Sequence, residues 1–432
     1  MHHFHFQNGM LYAESLPVSE LVQIYGTPLY IYSANTIIRH FHAVDRAFGE
    51  VPHLTCYSVK ANSNISLLHI LAQQGAGVDI VSGGELFRAL RAGFPANRIV
   101  YSGVGKKTHE IQEALLAGIL LFNVESVQEL ERISAVATGL GTVARVSLRI
   151  NPDVDPKTHP YISTGLRENK FGLPLDDALA AYDLAMQLPG VEPVGIDCHI
   201  GSQLTQLSPF LEALDRLLVF LRQLTKRGVP IRYLDLGGGL GITYHSEEPP
   251  HPSELGRAVA ERLAGLPLTL IIEPGRVIAG NSGILVTEVQ YIKQNGEKHF
   301  VIVDAGMNDL VRPSLYGSYH RIVPVVEQQR EAFVADIVGP ICESGDFLAK
   351  NREIPRVEQG ELLAVFSAGA YGFAMSSQYN SRPRAAEVLV SGSEHVLIRR
   401  RETYQDLVAA EEDGLLAMER LNFHADLEEN NG

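Results

Sequence analysis

The sequence predicts a TIM-type (β/α)8 barrel joined to a second, mostly β C-terminal domain of sandwich or barrel form. Three observations predict it. Eight short apolar runs rich in β-branched residues recur between Val51 and Arg276, separated by segments whose apolar residues fall at helical spacing. After Arg276 the alternation stops, and VTEVQYIKQNGEKHFVIVDAG sets an Asn-Gly turn between two alternating runs, the pattern of a β-hairpin. A length of 432 residues exceeds one ordinary domain and suits a barrel-sized unit plus a smaller one.

In chain order, GTPLYIYS comes first, a strand-like run that could join either domain. The barrel runs are LTCYSVK, GVDIVS, RIVYSG, LLFNVES, ARVSLRINP, GIDCHIGS, YLDLGGG and LTLIIEPG. The first lies in a buried stretch from Val51 to Val59, and Lys60 stands where it should stop. Helical connectors include SLLHILAQQ, GELFRALRAG, THEIQEALLAG, VQELERISAVA, LDDALAAYDLAMQ and FLEALDRLLVFLRQLTKRG. A doubly wound sheet also alternates in this way; the count of eight selects the barrel. The barrel is assigned to residues 30–276, and residues 1–29 plus 277–432 to the β-rich domain, where AFVADIVGP, ELLAVFSAGAY, AAEVLVSG and HVLIRR read as strands. The polar tail ADLEENNG is expected to fray.

Composition narrows the function. The 36 basic and 50 acidic side chains leave a formal charge of −14, and no basic run carries interleaved aromatics, so nucleic acid is excluded and a small metabolite favoured. No apolar run reaches the roughly 18 to 20 residues that span a bilayer, and MHHFHFQNGM lacks a basic start followed by an apolar stretch, so a cytoplasmic protein without membrane contact is expected. Cys56, Cys198 and Cys342 lie far apart with no C-x-x-C pair, which fits reduced thiols and no zinc site. His2, His3 and His5 are read as an exposed chain start, with no metal.

In a (β/α)8 barrel the active site forms at the C-terminal strand ends. Those ends carry Lys60, then Asp79 and Ser82, then His199 with Ser202, then Gly237, Gly238 and Gly239, then Glu273, Pro274, Gly275 and Arg276. GGGLG lacks the third glycine of a dinucleotide fingerprint and follows the seventh strand, so it fits a phosphate loop or a tight turn better than a nucleotide fold. EPGR sets an acid beside an arginine at one strand end. His199 could pack structurally or stack on an aromatic ligand. An amine, a phosphate cradle and an acid for a ring nitrogen together describe a pyridoxal 5′-phosphate site, which needs all three.

YSVKAN, HIGSQ, DLGGGLGI, EPGR, MNDLVRPSLY, CESGD and SAGAYG occur in the order found in diaminopimelate decarboxylases, which the chain resembles from about Leu16 to about Glu411. These are fold-type III, alanine-racemase-like pyridoxal-phosphate enzymes. The resemblance implies decarboxylation of meso-2,6-diaminopimelate to L-lysine, the last step of lysine biosynthesis, by a head-to-tail homodimer with shared active sites. It implies that Lys60 carries the cofactor, His199 stacks on its ring, Glu273 pairs with its nitrogen, and Ser202, Gly238, Gly239 and Gly275 to Arg276 surround its phosphate. Tyr371 would approach cofactor and substrate, and Arg276, Arg312 and Tyr316 would bind the substrate's distal carboxylate. Cys342, as proton donor, and Glu343, as a substrate contact, would reach in from the partner subunit. The alternative is a decarboxylase of another basic amino acid or carboxylated polyamine on the same fold.

Overall fold

The structure is a computed structural model that describes residues 2–155, 170–418 and 421. The tail ADLEENNG lies outside the described residues. Eight parallel strands form the first unit: β1 (His53–Ser58), β2 (Gly77–Ile80), β3 (Ile99–Tyr101), β4 (Leu121–Val124), β5 (Ala144–Asn151), β6 (Val191–Asp197), β7 (Tyr233–Asp235) and β8 (Thr269–Ile272). Each pairs with the next, and Leu270 to Ile272 of β8 return to His53 to Thr55 of β1, which closes the barrel. That closing pair is what a doubly wound sheet lacks. All eight predicted runs contribute a strand.

Two strand ends differ from expectation. β1 stops at Ser58, and Lys60 sits in the 3-10 turn Val59–Ala61; β6 stops at Asp197, two residues before His199. Both side chains therefore leave from segments just beyond the ladder.

The strands read as continuous apolar runs because the barrel buries both of their faces. Leu54, Cys56, Val100, Leu121, Val194 and Ile271 pack together in one buried apolar cluster. Cys56 acts there as a small hydrophobe. Side chains two residues apart on a strand share a face, and two residues beyond Cys56, Val100, Leu121 and Ile271 stand the buried Ser58, Ser102, Asn123 and Glu273. The corresponding polar residues of β2, β5, β6 and β7 are Asp79, Arg149, Asp197 and Asp235, all buried. The barrel thus changes from apolar to polar toward its C-terminal mouth.

The second unit is a mixed sheet. Its path runs Phe347–Pro355, Ala332–Val338, Lys298–Val303, Gly283–Asn295, Leu29–Ser33, Ala386–Ser391 and Glu394–Arg399, with Leu362–Val365 joining Gly283–Asn295 to Ile322–Pro324. The predicted Asn-Gly hairpin is present, with Gly296 at φ 58. Leu29–Ser33 pairs antiparallel with Gly283–Asn295 and parallel with Ala386–Ser391, so this run belongs to the β-rich sheet. Of the N-terminal histidines, His5 is exposed as expected, but His2 and His3 are partly buried. Phe4–Gln7 pairs with Met10–Ala13, His3 Nδ1 lies 2.8 Å from Thr36 Oγ1, and the His2 ring packs 5.5 Å from that of Phe366. All three cysteines are free, and no metal-ligating cluster is found among the described residues.

Candidate active site

Ser58 gathers three strand ends. Its N–H donates to Pro274 O at 3.1 Å, and its hydroxyl lies 3.0 Å from Asp79 Oδ2 and 2.9 Å from the Glu273 carbonyl oxygen. The ends of β1, β2 and β8 are thereby fixed together. Two residues on, Lys60 Nζ donates to Asp79 Oδ2 at 2.5 Å. Burial opposes charge on Lys60, but the carboxylates of Asp79 and Glu273 outweigh it and raise the ammonium above its ordinary value. Asp79 is fully buried, and its Oδ1 has no hydrogen-bond partner among the described residues.

His199 Nδ1 accepts the N–H of Gly238 at 3.1 Å, which places the ring proton of the neutral imidazole on Nε2. Burial, then the charges of Arg149 and Lys60, hold this histidine well below the usual range, so it is neutral at physiological pH. The glycine loop is needed for packing whatever it binds. A Cβ on Gly238 would stand 2.1 Å from the Glu273 carbonyl oxygen, and Gly239, at φ +115, would place one 2.2 Å from Gly201 O.

Glu273 closes the polar layer. Its Oε1 accepts from Asn123 Nδ2 and Ser102 Oγ, each at 3.3 Å, and Asn123 Nδ2 also reaches Asp235 Oδ2 at 3.0 Å. Burial first, then the neighbouring charges of Asp235 and Asp79, push the Glu273 carboxyl well above the usual carboxylate range. Burial and Asp197 raise Asp235 to about 7. Carboxyls this close and this dry resist ionising together, and a cation beside Glu273 favours its ionised form.

Arg276 opens the helix Arg276–Ala279 after EPG, and Arg312 opens Arg312–Tyr316; both are buried. Arg276 Nη2 donates to Ser202 Oγ at 3.1 Å, and its guanidinium carbon lies 4.8 Å from the Tyr371 ring centroid. Tyr371 arrives from the β-rich unit, its N–H donating to Ala61 O at 2.7 Å. It holds φ 57, a left-handed conformation that costs a non-glycine residue about 1–3 kcal/mol and collects at functional sites.

A cavity of about 190 Å³ brings together Lys60, His199, Ser202, Gly239, Glu273, Gly275, Arg276, Tyr316 and Tyr371. Asp79 and Gly238 stand behind it, bonded to Lys60 and His199, and Pro274 bonds to Ser58. Cys342 and Glu343 are not among its lining residues. Both are exposed on the turn before Phe347–Pro355, where Cys342 N–H donates to Asn380 Oδ1 at 2.7 Å. Sequence reasoning missed Ser58, Asn123, Asp235, Tyr244 and His320. The first three share the alternation that delivers Asp79 and Glu273, so stepping two residues past each apolar position would have found them.

The family model for the pyridoxal-dependent decarboxylase pyridoxal-binding domain matches residues 34–280. A diaminopimelate decarboxylase of Haemophilus influenzae is 54% identical over 413 residues, covering 95% of this chain and 99% of the relative. The chain belongs to the diaminopimelate decarboxylase family. Another member, from Aquifex aeolicus, is 53% identical over 93% of this chain and 96% of its own. The crystal structure of diaminopimelate decarboxylase from Helicobacter pylori complexed with L-lysine aligns at a TM-score of 0.89 with 46% identity, covering 92% of this chain and 99% of that one. A diaminopimelate decarboxylase fold therefore underlies both units, and its family is pyridoxal-dependent.

Proposed function

We propose that this protein removes carbon dioxide from the D-centre of meso-2,6-diaminopimelate to give L-lysine, using pyridoxal 5′-phosphate. One observation carries the substrate assignment: Arg276 and Arg312 are buried, and neither comes within ion-pair distance of a carboxylate among the described residues. A buried charge without a counter-ion costs several kcal/mol, so two such guanidiniums call for an anion from outside. The far end of diaminopimelate carries a carboxylate. The far end of ornithine carries only an ammonium.

The residues fit the cofactor. An amine, an acid, a flat neutral ring and hydroxyl and glycine groups converge on one cavity, and the buried acceptors Asp79 Oδ1 and Asn123 Oδ1 lack partners among the described residues. Pyridoxal phosphate supplies the electron sink for the pair left behind by carbon dioxide. Lys60 would hold its aldehyde carbon, with Asp79 Oδ2 orienting its amine. Glu273 would pair with the ring nitrogen and keep a proton there. His199 offers a ring face, while Ser202, Gly238, Gly239, Gly275 and Arg276 offer donors for the phosphate beside Pro274. Tyr371 closes the cavity from the β-rich side, and Arg276, Arg312 and Tyr316 would bind the distal carboxylate.

Cys342 and Glu343 stand outside the cavity of the chain that carries them, which supports a head-to-tail homodimer. In it, Cys342 of the partner subunit would protonate the α-carbon, and Glu343 of the partner subunit would meet the distal ammonium. The pairing of Leu29–Ser33 supports moving the start of the barrel unit from residue 30 to about residue 34, with its end near residue 276. No described helix is long and apolar enough to cross a membrane, and we take the cytoplasm as the working compartment. Purified protein supplied with pyridoxal phosphate should release carbon dioxide from meso-diaminopimelate and accumulate L-lysine. Faster turnover of ornithine or arginine would overturn the assignment.

A further inference from the structure

We propose that Tyr244 is a substrate-specificity residue that gives its phenolic proton to the distal carboxylate while holding the two arginines on either side of it. The inference rests on the diaminopimelate reading, because it takes the far end of the substrate to carry that carboxylate. Tyr244 is nearly buried, at 9% exposure. Its hydroxyl oxygen accepts from Arg276 Nη1 at 2.6 Å, and its ring centroid lies 4.7 Å from the Arg312 guanidinium carbon and 5.8 Å from that of Arg276. One phenol therefore touches both cations, through its oxygen and through its π face.

The neighbours of this hydroxyl settle where its proton can go. Guanidiniums donate and never accept, so neither arginine can take it. His320 packs edge-on against the Tyr244 ring, with centroids 5.3 Å apart, but its Nε2 already faces Arg312 Nη1 at 3.1 Å. Its other ring nitrogen lies 2.8 Å from Phe366 O and donates there, which leaves Nε2 as the acceptor for Arg312 and the imidazole neutral. Among the described residues the phenolic proton has no acceptor. The Nε groups of Arg276 and Arg312 are likewise buried without a partner. Three unclaimed donors thus belong to one cluster of contacting side chains, of which Arg276 lines the cavity.

The remaining contacts are also uncharged: Ser202 Oγ for Arg276 and Ser318 Oγ for Arg312, at 3.1 and 3.2 Å. Neutral partners hold two like charges together without cancelling either. A carboxylate in the place of Tyr244 would pair with both arginines and compete with the substrate. A phenol orients them and adds a donor, so the cluster stays short of one anion until a substrate with a distal carboxylate arrives. An amine-only chain end leaves all these donors unpaired, which is how such sites reject a ligand.

The test compares holoenzyme with its Tyr244→Phe variant, which keeps the ring and removes only the hydroxyl. Two competitive inhibitors are titrated: L-lysine, which keeps the carboxylate, and 1,5-diaminopentane, which has the same amines without it. The variant should bind L-lysine about tenfold or more weakly, as for the loss of a hydrogen bond to a charged group, with 1,5-diaminopentane unchanged. KM for meso-diaminopimelate should rise in step while kcat and cofactor content stay near wild type. Equal weakening of both inhibitors, no weakening of either, or a fall in kcat at constant KM would overturn the role. If Tyr244→Phe does not fold, Tyr244→Leu serves, with the same ratio of the two inhibition constants as readout. Failure of the unmodified protein to decarboxylate diaminopimelate would instead strike the functional assignment itself.

Discussion

Gly238→Ala tests how tightly the two strand ends at Glu273 are coupled. The added methyl would lie 2.1 Å from the Glu273 carbonyl oxygen and 2.9 Å from its carbonyl carbon. Both atoms are backbone and cannot swing aside, so the end of β8 must retreat by about 1 Å to restore an ordinary contact. That retreat is resisted, because Glu273 N–H donates to Gly237 O at 2.7 Å and the Ser58 hydroxyl lies 2.9 Å from the same Glu273 carbonyl. Overpacking of this kind costs about 1–3 kcal/mol of stability. A displacement of about 1 Å at a catalytic group costs on the order of 100-fold in rate. Carbon dioxide release from meso-diaminopimelate measures the second effect and thermal unfolding the first. Gly105→Ala is the control, because its added carbon meets nothing within 4 Å. A Gly238→Ala protein with wild-type kcat would refute the coupling.

Two further outcomes follow from the geometry. His320 is fully buried and is held down to about 3, by burial first and by the Arg312 charge second. Its folded value lies below its unfolded one, so its neutral form stabilises the fold above about pH 6.5, and that stability is lost as pH falls toward 3, at about 1.4 kcal/mol per unit. Relative to wild type, His320→Gln should gain about 1 kcal/mol between pH 6.5 and pH 5.5 in urea denaturation, because the full slope is reached only below that window; a constant gap would contradict a buried neutral imidazole. Lys60→Ala and Cys342→Ala should each be inactive as pure assemblies, yet unfolding and refolding them together should restore activity if sites are shared between subunits. A mixture that stays inactive, with both chains folded and mixed dimers formed, would refute a site shared between subunits.

Much of this protein was written locally. The eight strand runs, the helical connectors, the Asn-Gly hairpin and the strand-end placement of Lys60, Asp79 and Glu273 follow from periodicity, which depends only on neighbours in the chain. The motifs fixed the family for the same reason, since a short run of residues carries each. Other features are non-local. Whether the eighth strand returns to the first depends on hydrogen bonds between Leu270 to Ile272 and His53 to Thr55, more than two hundred residues apart. The ownership of Leu29–Ser33 was decided by partners at Gly283–Asn295 and Ala386–Ser391. Tyr244 and His320 carry no local signal, because their importance comes from two arginines that meet them only in the folded chain. Sequence alone named the chemical groups; tertiary structure decided which are buried together, because burial depends on partners brought from distant parts of the chain.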